Sequence, residues 1–438
     1  MALKQIKSLI LSLESHKKKY DKAKYWLKNI FVISVIQIIV QGVAFLSGIL
    51  VIRLLPVEEY ALYTIANTML GTMIVLADGG VTNGVMAQGG KVWLDKQKLG
   101  AVLATGLDLR HKFAFISLLI TIPVLFYFLL HKGASWLTSF LIALSLIPVF
   151  YGSIIDSLLT VIPKLHQDIY SLLKNQLFVC LGRLFFSAIL IFIFPLTFVA
   201  ILASGVPQIL GNSNLKKIVE NFIDKKQELD FNVRNDLMII VKRVLPTSIY
   251  FTFSGQISIW LISIFGTTMA LAQLGAISKI SAIFSLFNAF LSFVIIPRLA
   301  RLPNNPEILL KKYLKTLLMV IVFHSILVLL ISFFSKEILW VLGEEYSYLN
   351  NELILSVIGT SISIFAGVSY SFYSTRGWII DPLIVIVVDL CAIISGIFIF
   401  SVSNILGVLE LTIYIASILS LMNVLYSLIK IKSIGLVY

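Results

Sequence analysis

About twelve stretches of some twenty mainly apolar residues follow one another through the 438-residue chain, separated by short segments rich in charges, Gly or Pro. A run of that length spans the hydrocarbon of a bilayer as a helix, because the backbone must satisfy its own hydrogen bonds where water is absent. Composition agrees: 58% of residues are hydrophobic and 13% are charged, against roughly a quarter charged in soluble domains. The expected fold class is therefore all-α, a polytopic membrane protein of about 12 transmembrane helices in two six-helix bundles. Helices are expected near 31–53, 60–83, 113–131, 136–158, 176–194, 196–213, 244–264, 268–296, 316–335, 352–373, 378–402 and 405–428.

Charge sets the orientation. With the N-terminus inside, 30 of the 35 lysines and arginines fall in inner segments, three (Arg53, Lys132 and Lys336) fall in outer segments, and Arg183 and Lys279 lie within helices. Positive loops stay on the cytoplasmic side, so both termini are expected there. Five of the six tryptophans, Trp26, Trp136, Trp260, Trp340 and Trp378, fall at or near expected helix ends, where an indole is half apolar and half wet. Trp93 sits among Lys91, Lys96 and Lys98 in a segment, 84–112, that is too polar to span and is expected to lie on the inner surface. The longest polar stretch inside the array falls at its midpoint. It divides the chain into a basic cytoplasmic segment (1–28), an N-terminal six-helix bundle (29–213), a cytoplasmic linker (214–237) and a C-terminal six-helix bundle (238–438).

No constellation of nucleophile, acid, base or metal ligands emerges, so neither an enzyme nor a cofactor or metal site is expected. No nucleic-acid partner is expected either. Cys180 and Cys391 lie in separate apolar runs and are expected as buried thiols. Gly84 with Gly89-Gly90-Lys91 approaches a phosphate loop, but the spacing is one residue too long and Val92 replaces the magnesium-binding hydroxyl.

Charges inside spanning helices cost roughly 2.5–3.5 kcal/mol each at mid-depth on insertion scales. Arg183, Lys279 and Asp389 stand there. One reading is an internal salt bridge that locks the helices; the other is a cationic cavity between the halves, with Arg53 as a further candidate toward its outer end. Asp78 and Asp156, near inner helix ends, and His324, in mid-helix, are candidates for gating or coupling. Their plain alternatives are capping at the interface and an interhelical hydrogen bond.

Three short runs carry a resemblance. Arg53-Leu-Leu-Pro-Val-Glu-Glu-Tyr-Ala-Leu-Tyr, followed by Leu76-Ala-Asp78-Gly-Gly-Val, resembles the first two helices of bacterial polysaccharide flippases of the O-antigen type, in the multidrug/oligosaccharidyl-lipid/polysaccharide exporter superfamily. Leu342-Gly343-Glu-Glu-Tyr346 and Leu274-Gly275-Ala-Ile-Ser278-Lys279-Ile280 are similar to later motifs of that family. The resemblance implies a bacterial plasma-membrane flippase. Such a protein moves undecaprenyl-diphosphate-linked glycan to the outer leaflet for surface polysaccharide such as lipopolysaccharide, working beside glycosyltransferases and a polysaccharide polymerase. The alternatives are a multidrug or small-cation antiporter of the same superfamily, or a membrane-embedded polysaccharide assembly enzyme. An antiporter for cations calls for a cavity dominated by acids and aromatics, whereas Arg183 and Lys279 outnumber Asp389 at mid-depth.

Overall fold

The computed structural model describes residues 35–224, 227–281, 302–303, 305–378 and 380–434, with 284, 291, 295 and 299. The segment 1–28 and most of 282–301 lie outside these. The first part of the chain comprises α1 (Val35–Leu54), α2 (Val57–Asp78), α3 (Val81–Val92), α4 (Lys96–His131), α5 (Trp136–Leu159), α6 (Val161–Leu165), α7 (Ile169–Ile193) and α8 (Thr197–Val219). The second comprises α9 (Phe231–Gly255), α10 (Ile257–Phe265), α11 (Thr268–Ser281), α12 (Pro306–Phe333), α13 (Ser335–Leu342), α14 (Asn350–Ser374), α15 (Pro382–Ile399) and α16 (Ile405–Ile434). No strand occurs among the described residues. Ten helices are long and apolar enough to cross a bilayer, so the chain is a multi-pass membrane protein.

Two expected spans stand outside those ten. One is α11, of which only Thr268–Ser281 is described. The other, α8, is 23 residues long but carries Ser204, Gln208 and Asn212. It is held by its neighbours rather than by lipid. A Cβ on Gly205 would stand 2.3 Å from Val149 of α5, and one on Gly211 would stand 2.2 Å from Val179 of α7, so the backbones meet where only hydrogen fits. Asn212 adds a hydrogen bond to the Gly152 carbonyl at 2.6 Å, and Glu59 of α2 accepts from the first backbone N–H of α8 at 2.7 Å.

Several helices run further than hydropathy indicates. The expected surface segment 84–112 is α3 plus the first turns of α4, started by Asp95, whose carboxylate accepts from the Gln97 and Lys98 amides. The near-phosphate-loop glycines are thus helical, in α3. The second span ends at Asp78 rather than residue 83, because Gly79 (φ +50°) and Gly80 (φ +93°) form a left-handed elbow that reverses the chain into α3. Most of the expected linker is folded too: α8 continues to Val219 and α9 starts at Phe231, capped by Asp230.

The two parts of the chain touch at both ends. At the end rich in Lys and Arg, called here the basic end, the elbow and α3 lie on α9: Cβ atoms on Gly79 and Gly80 would stand 3.0 Å from Leu245 and Val244, and one on Gly84 would stand 2.6 Å from Leu237. At the opposite end Arg53 donates to the Val341 carbonyl at 2.8 Å and to the Trp340 carbonyl, closing the C-terminus of α13, with its guanidinium 5.1 Å from the Trp340 ring. Lys132 donates to the Gly266 carbonyl at 2.5 Å, and His131 bonds the Ile264 carbonyl at 3.0 Å. Trp136 and Trp340 are exposed at helix ends as expected, but Trp260 is buried against Phe128 and Phe253. Both cysteines are free; Cys180 is buried, whereas Cys391 faces outward from α15.

Candidate functional site

One face of α2 assembles a polar cavity. Tyr60, Tyr63, Thr64, Asn67, Thr68 and Gly71 recur at intervals of three and four residues, which stacks them on a single stripe of the helix. Gln256 and Ile259, at the start of α10, and Gly275, Ser278 and Lys279 of α11 face that stripe across a cavity of about 390 Å³. The approach of α11 to α2 depends on Gly275, since a Cβ there would stand 2.3 Å from Thr64 Oγ1. Lys279 runs its stem past α1, 3.8 Å from where a Cβ on Gly48 would stand.

Arg183 lies nearer the start of the same stripe of α1, because Gln37, Gln41, Ala44 and Gly48 follow one another at helical spacing on a single face. It lines a second cavity of about 290 Å³ with Gln37 and Gln41 of α1, Asp156 of α5, Asn175 and Gln176 of α7, and Gln208 of α8. Its Nε is buried and bonded to no described residue. Arg183 is within electrostatic range of Lys279, Tyr63 and Asp156. Among the described residues the ion pairs are Lys98–Asp95, Arg110–Asp78 and Lys112–Asp108, so neither Arg183 nor Lys279 is neutralised by a salt bridge.

The other candidates are dispersed. Asp389 is buried on α15 and faces α9, accepting hydrogen bonds from Tyr250 at 2.7 Å and from Ser254. It pairs with neither cation. Arg53 contributes to the clasp on α13. Asp78 binds Arg110 of α4 at 2.7 Å and accepts from Thr82 at 2.6 Å, and Arg110 in turn donates to Thr82 at 3.0 Å. This triad buttresses the Gly79-Gly80 elbow. His324, buried on α12, bonds the Val320 carbonyl at 2.8 Å through Nδ1 and stacks on Phe284 at 5.6 Å. It borders a larger cavity of about 760 Å³ between α12, α14 and α16, whose apolar walls and lack of charge set it apart from the cationic region. Charge reasoning missed the neutral members Asn67, Gln256, Gln41 and Gln208, and it counted Arg110 as a loop cation.

Comparison with solved structures follows from this arrangement of helices. An inward-facing multidrug resistance MATE family transporter of the MOP superfamily superimposes with TM-score 0.72 at 14% identity, over 90% of this chain and 95% of that one. The fold is that of the MOP transporters. Lipid II flippase MurJ in its inward closed conformation shares the MOP fold with TM-score 0.70 at 14% identity, covering 92% of this chain and 87% of its own. A MOP superfamily transporter from Pyrococcus furiosus, in which a reverse polarity of the binding pocket suggests a different function, gives 0.58 at 15% identity over 92% and 95%. No protein-family model matches the sequence and no curated protein does, so the likeness is one of fold.

Proposed function

We infer that this chain is a flippase that carries lipid-diphosphate-linked oligosaccharide from the inner to the outer leaflet of a bacterial plasma membrane. The supporting observation is the pair Arg183 and Lys279, held along one stripe of α1 with no salt bridge to another described residue. An unpaired cation deep in a membrane is costly unless it meets water or an anion. A diphosphate is an anion of the right kind, because guanidinium and ammonium groups bind phosphate oxygens with charge-assisted hydrogen bonds. Both termini are read as cytoplasmic, so the basic end faces the cytosol. Outward movement of an anion then runs with an inside-negative potential, worth about 2.3 kcal/mol per charge per 100 mV. The halves 29–213 and 238–438 are read as the two bodies of an alternating-access cycle, with glycosyltransferases and a polysaccharide polymerase as partners in the same biosynthesis.

The fold alone serves both multidrug transporters and a lipid II flippase, and pocket polarity is what favours the second reading. A carrier of organic cations has no use for two unpaired positive groups beside its cavity. The test is translocation of a polyprenyl-diphosphate-linked glycan in proteoliposomes. Arg183→Ala and Lys279→Ala are each expected to lose most transport while inserting at normal abundance, and Arg183→Lys to retain part of it. Wild-type transport in both alanine variants would place the anion path elsewhere.

A further inference from the structure

The cavity beneath Lys279 does not end at α11. Gln256, Ile259 and Ser278 also belong to an adjoining cavity of about 290 Å³ that reaches between α10, α14 and α16. Hydroxyls are set among its mainly apolar walls: Ser281, Ser356, Thr360 and Ser363 line it from α11 and α14, and Ser258 and Thr412 line it from α10 and α16. Among the described residues no carboxylate borders either cavity, and Lys279 is the one charged group that does. Each volume is near the lower end of the roughly 300–1,000 Å³ usual for small-molecule sites.

We propose that this joined, uncharged cavity is a saccharide subsite that holds the first neutral sugar rings of the cargo while the cations hold its diphosphate. The proposal rests on the flippase reading and extends it to the glycan. The hydroxyl protons are already engaged. Thr360 donates to the Ser356 carbonyl at 2.8 Å, Ser363 to the Gly359 carbonyl at 2.9 Å, and Ser278 to the Gly275 carbonyl at 2.7 Å. The lone pairs that remain make the wall an array of acceptors, which suits a ligand rich in O–H donors. Asn67 and Gln256 supply the opposite capacity: their side-chain amides line the cavity with no hydrogen bond to another described residue. Tyr63 completes the set. It lies 6.0 Å from Tyr60 with an interplanar angle of 24°, and its electron-rich face is of the kind that accepts the C–H face of a pyranose. Acceptors, free amides and an aromatic face beside a lone cation match a neutral sugar attached to a phosphate. They match an organic cation poorly.

Two glycines allow the cavity to be filled without disturbing its walls. A Cβ on Gly71 or on Gly255 would have no atom within 4 Å, and neither residue has a positive φ. Two probes are compared for binding to the full chain in proteoliposomes: undecaprenyl diphosphate alone, and the same lipid carrying a neutral disaccharide. The wild type is expected to bind the disaccharide probe roughly 30- to 150-fold more tightly, as two or three net hydrogen bonds at about 1 kcal/mol each would give. Gly255→Trp, which fills only the adjoining cavity, is expected to abolish that margin with unchanged affinity for the bare lipid diphosphate, and Gly71→Phe and Gln256→Leu, in the cavity shared with Lys279, to reduce it. A margin that survives all three substitutions, or equal loss of both probes, would overturn the sugar subsite and leave the flippase reading intact. A wild-type chain that binds neither probe would overturn both.

Discussion

At the scale of single residues, the molecule uses its buried charges in two opposite ways. Arg183 and Lys279 are left unneutralised beside cavities, whereas Arg110 is 2% exposed and locked to Asp78. A charge committed to an ion pair is unavailable to cargo, so the Asp78–Arg110 pair is read as structural. Breaking one partner of a buried pair costs roughly 3–5 kcal/mol, and here the lower end applies because Asp78 is 26% exposed. Asp78→Asn and Arg110→Leu are therefore each expected to lower the thermal midpoint of the solubilised protein. The double variant should recover part of that loss, since it leaves no charge stranded. Additive losses in the double variant would mean that the two side chains do not act as a pair. The sequence exposes Asp78, Arg183, Lys279 and Asp389 because a charge in an apolar run stands out. It hides the pairing of Asp78 with Arg110: 32 positions separate them, and only the Gly79-Gly80 elbow brings α2 and α4 into the register that joins them. The neutral cavity residues were legible in a different way. Tyr60, Tyr63, Asn67 and Gly71 already repeat with helical period on α2, a pattern that a search confined to charges passes over.

At the scale of helices, hydropathy locates the spans because it reports the segments that lipid surrounds. It is silent on where a helix continues into water. The extensions were written instead in capping residues: Asp95, Asp230 and Asn305 each start a helix by accepting from backbone N–H groups of the first turn. Close helix contacts depend on small residues, and the one between α2 and α11 matters most to the cavity. Gly275→Ala is expected to push the two helices apart, because its Cβ would stand 2.3 Å from Thr64 Oγ1. In a Thr64→Ala background only the residue-64 Cβ remains, at 3.2 Å, so a shift of a few tenths of an ångström accommodates the new methyl. The expected result is a double-mutant cycle in which Thr64→Ala rescues both the thermal stability and the transport lost in Gly275→Ala. Losses that simply add would show that α11 does not pack on α2 through this contact.

At the scale of the whole molecule, the proposed flippase cycle requires one end of the structure to part for cargo to enter. The opposite end is held by polar bonds at several places: Arg53 on α13, Lys132 on Gly266 and His131 on Ile264. The basic end is held mainly by apolar packing of the elbow and α3 along α9 as far as Leu245, with an exposed hydrogen bond from Gln88 to Asp236 at 2.9 Å beside it. Beyond Pro246, α9 packs within the second part of the chain, where Tyr250 and Ser254 bind Asp389. One helix thus spans both halves at the end where the inner leaflet is read to lie. In a flippase that takes lipid-linked cargo from that leaflet, this packing has to separate in every cycle. Gly84 and Leu237 offer a means of preventing it: a Cβ on Gly84 would stand 3.7 Å from the Leu237 Cα, so cysteines at the two positions would lie side by side. In a chain lacking Cys180 and Cys391, Gly84→Cys with Leu237→Cys is expected to cross-link under mild oxidation. Transport in proteoliposomes should stop when the bond forms and return when it is reduced. Each single variant should transport under both conditions, which separates the lock from the packing change. Cross-linking to completion with transport at the uncross-linked rate would mean that the α3–α9 contact stays closed throughout the cycle, and that cargo enters by parting other helices.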